Sequence, residues 1–293
     1  MTNLEKAFAH CESVTRSHYE NFPVGSFLLP KEKRKYIWAI YAFARTADDF
    51  ADEGRFPGEN AAALQKRIDL LDQYELNLSN LDESEDLIFL ALGQTLKDCN
   101  IPVQLLKDLL TAYRMDVRQS RCKTWEDVLF YCKHSANPVG RLVLHVFGYM
   151  DKTLHQLSDK ICTALQLTNF WQDLAIDLDK DRIYIPQNDM LKFGVTEGDF
   201  HNHRVTPPFQ MLMKTLADRT AALFDEGLPL VSAVREDLRL EMRLTWLSGT
   251  AILKRIEKNK FDVYRKRPSL SKLDFALLLA QALLPGSLKP LCV

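Results

Sequence analysis

Apolar positions recur at three- and four-residue intervals along almost the whole chain. Between Lys31 and Glu53 they fall at 36, 37, 40, 43, 44 and 47, one face of a helix. Pro30 precedes this stretch, and Gly54 and Pro57 end it. The same period predicts helices over 61–78, 83–98 and 102–118. Thr124 with Asp127 three residues on reads as a capping box opening a helix over 125–150. A further helix is expected over 154–178, then a polar loop over 179–208 rich in Pro, Gly, Asn and His. Helices resume at 209–226, 229–246, 247–260 and 270–284. No strand-like alternation, internal repeat or linker interrupts them. The expectation is one all-α domain over 1–293, its helices bundled around a central cavity.

Composition narrows the class. Eleven Gly and 12 Pro in 293 residues are few breakers, as long helices require. Lys+Arg 38 against Asp+Glu 39 leaves no basic field for nucleic acid. The six cysteines form no C-x-x-C pair, which excludes a zinc ribbon or redox motif, and Met1–Phe8 has no apolar signal core. A cytoplasmic setting is the default. The apolar run Phe275–Leu284 is too short to span a bilayer. A buried helix is its simplest meaning, with a peripheral membrane contact as the alternative.

Candidate chemistry lies in two acidic stripes. Asp48 and Asp52 share a helix face with Arg45 and Tyr41. Asn169, Asp173 and Asp177 repeat the spacing of four. Spacing alone is weak evidence. The chain holds 24 Asp, and of its four D-x-x-x-D pairs, 48/52, 82/86, 173/177 and 177/181, about two are expected by chance. Asp82/Asp86 sits in an acidic segment and reads as a solvated face. Asp48 follows Trp38–Ala44, and Asp173 follows Leu165, Leu167, Phe170 and Trp171, so both sit on helices that should be buried. Buried carboxylates need a partner, and basic residues are scarce within the stripes. Mg²⁺ with phosphate oxygens is the fitting partner, and Arg45 adds a fork for phosphate. A di-iron bundle would need Glu-x-x-His, which is missing near the stripes.

Leu29-Pro30 with Trp38 through Glu53 resembles the first aspartate-rich motif of the squalene/phytoene synthases. Leu167 through Asp177, followed by Asp181-Arg182-Ile183-Tyr184-Ile185-Pro186, resembles the second, and Tyr131-Cys132 leading to Val139-Gly140 resembles the central helix. The likeness runs from about His18 to Leu284. It implies an isoprenoid synthase fold acting on a prenyl diphosphate, with Mg²⁺ as cofactor. Carried over residue by residue, Asp48, Asp52, Asp173 and Asp177 would ligate Mg²⁺. Asn169, Arg45 and Arg182 would hold metal or diphosphate, and His18 and Phe22 would touch substrate. Tyr41, Tyr131 and Tyr184 would line the reacting centre.

Departures from the family text suggest a branch. Ser17–Val24 replaces a serine-rich opening, His134–Gly140 replaces a segment that usually reads valine-alanine-glycine, and Gln172 stands where many members have Arg. These features resemble the branch that ionises presqualene diphosphate in bacterial hopanoid pathways and captures the cation with water. A flavoprotein and other hopanoid-pathway enzymes would be its working partners. Condensation of two farnesyl or two geranylgeranyl diphosphates, and a non-catalytic assembly role, are the alternatives. Pro138 carries a reading independent of the family. Within a helix over 125–150 it would kink the chain and free the His134 carbonyl. His134 and Asn137 would then help hold the attacking water.

Overall fold

The computed structural model describes residues 2–17, 29–54, 56, 58–81, 84–118, 121–284, 286 and 288. His18, Phe22 and Asp82 lie outside the described residues. Among the described residues the chain is helical throughout, with one isolated bridge between Arg121 and Ile183. Its contacts gather in two compact units, residues 1–118 with 137–155, and residues 119–136 with 156–293.

The first unit holds α1 (Asn3–Ser17), α2 (Lys31–Asp52), α3 (Ala61–Leu76), α4 (Leu87–Asp98), α5 (Gln104–Arg118) and α7 (Asn137–Val146). Helix α1 packs on α2 and α4, a helix that the sequence reading passed over. Helix α2 is central, touching α1, α3, α4, α5 and α7. Its buried face of Ile37, Ile40, Phe43, Ala47 and Ala51 explains why. Phe43 stacks on Tyr74 at 5.1 Å, and Phe89 closes on Tyr74 at 4.7 Å. The Tyr74 hydroxyl donates to the Phe43 carbonyl at 3.3 Å, so this aromatic wall is polar-satisfied. Asp86 caps α4, accepting from the amides of Ile88 and Phe89. That is a structural task, in keeping with its exclusion from the candidate chemistry.

The second unit contains α6 (Trp125–Ser135), α9 (Leu174–Asp179), α10 (Gln187–Phe193), α11 (Glu197–His201), α12 (Pro207–Gly227), α13 (Pro229–Ala233), α14 (Glu236–Lys258) and α15 (Lys272–Leu283). It also holds most of α8 (Lys152–Gln172). Two glycines set its spacing. A Cβ at Gly227 would lie 2.5 Å from Ile161 and 3.0 Å from the Leu157 carbonyl oxygen. One at Gly249 would lie 2.6 Å from both Leu165 and Phe224. Both α12 and α14 therefore press on α8, the helix carrying the second acidic stripe.

Four predicted boundaries change. The expected helix 125–150 is two helices that break at Ala136, so Pro138 sits in the first turn of α7. There its missing N–H costs nothing, and a break replaces the expected mid-helix kink. The expected 154–178 helix bends at Asp173, whose φ −102 and ψ 14 end α8 and begin α9. The polar loop 179–208 contains α10 and α11. Gly194 in the left-handed conformation stops α10, and a Thr196/Asp199 capping box starts α11. Finally, 236–258 is one helix, because the break falls at Val234 and not at 246.

Candidate active site

The first stripe belongs to the first unit. Arg45 reaches along its own helix to Asp48 at 3.4 Å and pairs with Asp49. Burial pushes the Asp48 carboxyl up to about 6, and the charges of Asp52, Asp116 and Asp49 push the same way against the pull of Arg45. Asp116, on α5, is 7% exposed and joins this group from a second helix. The sequence reading missed it, although a carboxylate among Leu109, Leu110, Ala112 and Val117 carried the same signal as Asp48. Tyr41 lies half-buried on the stripe, its hydroxyl pushed up by desolvation and by Asp48 and Asp49, against the pull of Arg45. Tyr113 is raised well above the usual tyrosine range by burial, then by Asp48 and Asp116. Asp48 thus feels three neighbouring carboxylates, while Arg45 pairs with Asp48 and Asp49.

The second stripe belongs to the second unit. The Asn169 amide donates to Asp173 at 2.7 Å, holding the carboxylate from one turn back. Asp177 donates its backbone N–H to the Asp173 carbonyl at 2.9 Å, so the stripe stays continuous across the bend. Basic residues are scarce within this stripe, but one reaches it from outside. Arg267, 94 residues further on, grips Asp173 through Nε and through Nη2 at 3.0 Å. The buried Gln172 amide holds the Pro268 carbonyl, fixing the segment that carries Arg267. The guanidinium beside Asp173 thus comes from a distant segment, and Gln172 anchors its delivery. No sequence spacing signals such a contact.

The segment carrying Arg182 and Tyr184 is clamped by Arg121. Its guanidinium bonds Glu197 at 2.8 Å and Asp181 at 2.7 Å. The amides of Gln187 and Asn188 bond the carbonyls of Cys122 and Lys123, each at 3.0 Å. Arg182 is consequently buried, at 5% exposure. Tyr184 lies flat on Phe170 at 3.8 Å and 11°. Tyr131 stands 5.6 Å from Phe170 and 5.3 Å from Tyr184. The expected pair Tyr131 and Tyr184 is thus brought together, with Phe170 as an unexpected third ring. His134 turns another way. Its Nδ1 lies 2.9 Å from the Phe130 carbonyl, and its ring lies against the half-exposed Phe130. The Ala136 amide bonds Cys132 at 3.0 Å across the helix break, and Asn137 is buried just beyond it.

The donor chemistry fits Mg²⁺ in a particular manner. Among the described residues no three His, Cys, Asp or Glu side chains form a ready cage. Magnesium is commonly held by one or two carboxylates, with water and substrate phosphate completing the shell. Paired aspartates with an arginine alongside suit a metal that arrives together with diphosphate.

The sequence model of squalene/phytoene synthase matches residues 15–274. The chain belongs to the squalene/phytoene synthase family. It is 31% identical to a phytoene synthase of Mycobacterium bovis, over 97% of this chain and 92% of that protein. It is 33% identical to a hydroxysqualene synthase of Rhodopseudomonas palustris, over 88% and 86% of the two chains. Among solved structures, squalene synthase HpnC from Alicyclobacillus acidocaldarius superposes with a TM-score of 0.82 at 40% identity. That match covers 88% of this chain and 95% of the other. The all-α isoprenoid synthase fold is thereby established, and with it membership of an enzyme family that acts on prenyl diphosphates.

Proposed function

We propose that this enzyme converts presqualene diphosphate and water into hydroxysqualene and diphosphate, using Mg²⁺. The observation that carries the metal-diphosphate part is the crowding of Asp48 by Asp52, Asp116 and Asp49 on neighbouring turns and a neighbouring helix. Bound Mg²⁺ would offset the negative charge developing on the departing diphosphate. Each stripe would hold Mg²⁺ by itself, Asp48 and Asp52 on the first and Asp173 and Asp177 on the second, with Asn169 orienting Asp173. Arg45 and Arg182 would bind diphosphate oxygens, a task for which guanidinium forks are suited.

The carbocation left behind needs a dry, electron-rich wall. Tyr131, Tyr184 and Phe170 form an aromatic cluster, and a desolvated cation beside a ring gains about 2 kcal/mol. Tyr41 adds a hydroxyl beside the leaving-group residues. Water must then reach one carbon of the cation and lose a proton. Asn137, buried at the start of α7, is our candidate for holding that water. His134 contributes through its place on the turn, since its ring is engaged by Phe130. The branch assignment is supported by Gln172, by the 134–140 segment, and by similarity to the hydroxysqualene synthase and HpnC.

Similarity to phytoene synthases favours a second reading, condensation of two prenyl diphosphates. Separate incubations with presqualene, farnesyl and geranylgeranyl diphosphates, with Mg²⁺ and without NADPH, distinguish the two. The proposal expects an alcohol from presqualene diphosphate, carrying ¹⁸O when the reaction runs in labelled water. A condensed diphosphate or phytoene as the sole product refutes it.

A further inference from the structure

Helix α15 is apolar on two sides, and only one of them is covered. Leu278 and Ala282 are buried, at 0% and 3% exposure, on the side packed against α14. Leu273, Leu277 and Leu284 are 69%, 46% and 64% exposed, and Ala280 is exposed between them. Intervals of four, three and four place these residues in one narrow stripe along the helix. Leu283, 64% exposed, flanks it.

The stripe is presented by a fixed helix, not a fraying end. A capping box of Ser271 and Asp274 closes its start. Arg255 bonds Asp274 at 3.0 Å, and Arg243 donates to the Leu284 carbonyl at 2.7 Å. Both arginines come from α14, so each end of α15 is tied to the same neighbour.

Charge selects the partner. Residues 254–284 contain eight Lys or Arg and three Asp or Glu, in a chain whose net charge is −1. The ion pairs Arg255–Asp274, Arg265–Asp262 and Arg267–Asp173 engage three of these bases and two of these acids. Lys266 and Lys272, both exposed, lie within seven residues of Leu273. An apolar stripe bordered by cations is the composition of a helix lying in the plane of an anionic lipid surface. Among the described residues no helix is long and apolar enough to cross a membrane.

We propose that α15 docks this enzyme on anionic bilayers through Leu273, Leu277, Ala280 and Leu284, with Lys266 and Lys272 meeting the headgroups. The surface stands independently of which prenyl diphosphate is the substrate.

Sedimentation of the full chain with vesicles tests this directly. One set is phosphatidylcholine alone and the other contains phosphatidylglycerol. The wild type should bind the anionic vesicles, and added salt should weaken binding. Leu273→Glu with Leu277→Glu should weaken it by about tenfold or more. Lys266→Glu with Lys272→Glu should remove the preference for phosphatidylglycerol. Leu191→Glu, at an 82% exposed leucine on α10, is the control and should bind as wild type. Thermal melts confirm that each variant is folded. Absence of wild-type binding to either vesicle overturns the proposal, as does unchanged binding in the leucine variant. A wild-type dimer in light scattering that the leucine variant splits, without vesicle binding, assigns the stripe to a second copy and also overturns it.

Discussion

Replacing Asp48 by Asn should separate function from stability, moving them in opposite directions. In the folded protein the Asp48 carboxyl is pushed from 3.8 to about 6, by burial first and then by Asp52, Asp116 and Asp49. At full shielding that rise corresponds to about 3 kcal/mol of penalty on the ionised form. The Asp48 side chain is 40% exposed, so solvent reduces the penalty to about 1–2 kcal/mol. The sign follows from linkage. A carboxyl whose folded value is raised costs nothing below its unfolded value, and its full penalty is present above about 6. Asn carries no charge at any of these values. The variant should therefore match the wild type in acid and exceed it by about 1–2 kcal/mol at neutral pH. Urea titrations in EDTA on both sides of the window measure this difference. In the same variant turnover should fall by about 10²-fold or more, and the stabilisation conferred by Mg²⁺ with diphosphate should largely disappear. A variant less stable than wild type at neutral pH in EDTA, or one with wild-type turnover, refutes the reasoning.

Other expectations follow from individual contacts. Arg267→Met should reduce turnover by about tenfold or more while changing stability by under about 1 kcal/mol, since Arg267 is half-exposed and solvent screens its side of the pair; a large fall in Tm with full activity would mean that Arg267 is structural. Burial pushes the Glu241 carboxyl up to about 7, and its Oε2 has no hydrogen-bond partner. Glu241→Gln should stabilise increasingly as pH rises through this range, by up to about 3 kcal/mol above it, and a pH-independent difference in Tm contradicts this. Gly249→Ala should cost about 1–3 kcal/mol, because its Cβ would meet Leu165 and Phe224 at 2.6 Å; chemical denaturation showing no loss would mean that α14 and α8 are loosely packed.

Much of the architecture was legible along the chain because helices are local. A helix face declares itself through a period of 3.6, and Asn60, Thr124, Thr206 and Ser271 cap their helices where side chain and backbone are sequence neighbours. The two aspartate stripes were legible for the same reason, since a spacing of four on one helix is a distance in space. What failed locally was the exact breakpoint. Ala136 and Asp173 interrupt helices whose periodicity continues through them, and only packing decides where such a chain bends.

The site's electrostatics were divided in the same way. The sequence supplied Arg45 for Asp48, three residues away on one turn. It offered nothing to predict Arg267 on Asp173, Asp116 beside Asp48, or Phe170 flat against Tyr184 across 14 residues. Each of these joins residues from separate segments, so their proximity depends on how the segments pack. The sequence by itself determined which faces are apolar, which stripes are acidic and where most helices begin. Tertiary structure alone decided which charges are compensated, because Coulomb interactions follow distance in space and a linear spacing reports that distance only within one helix.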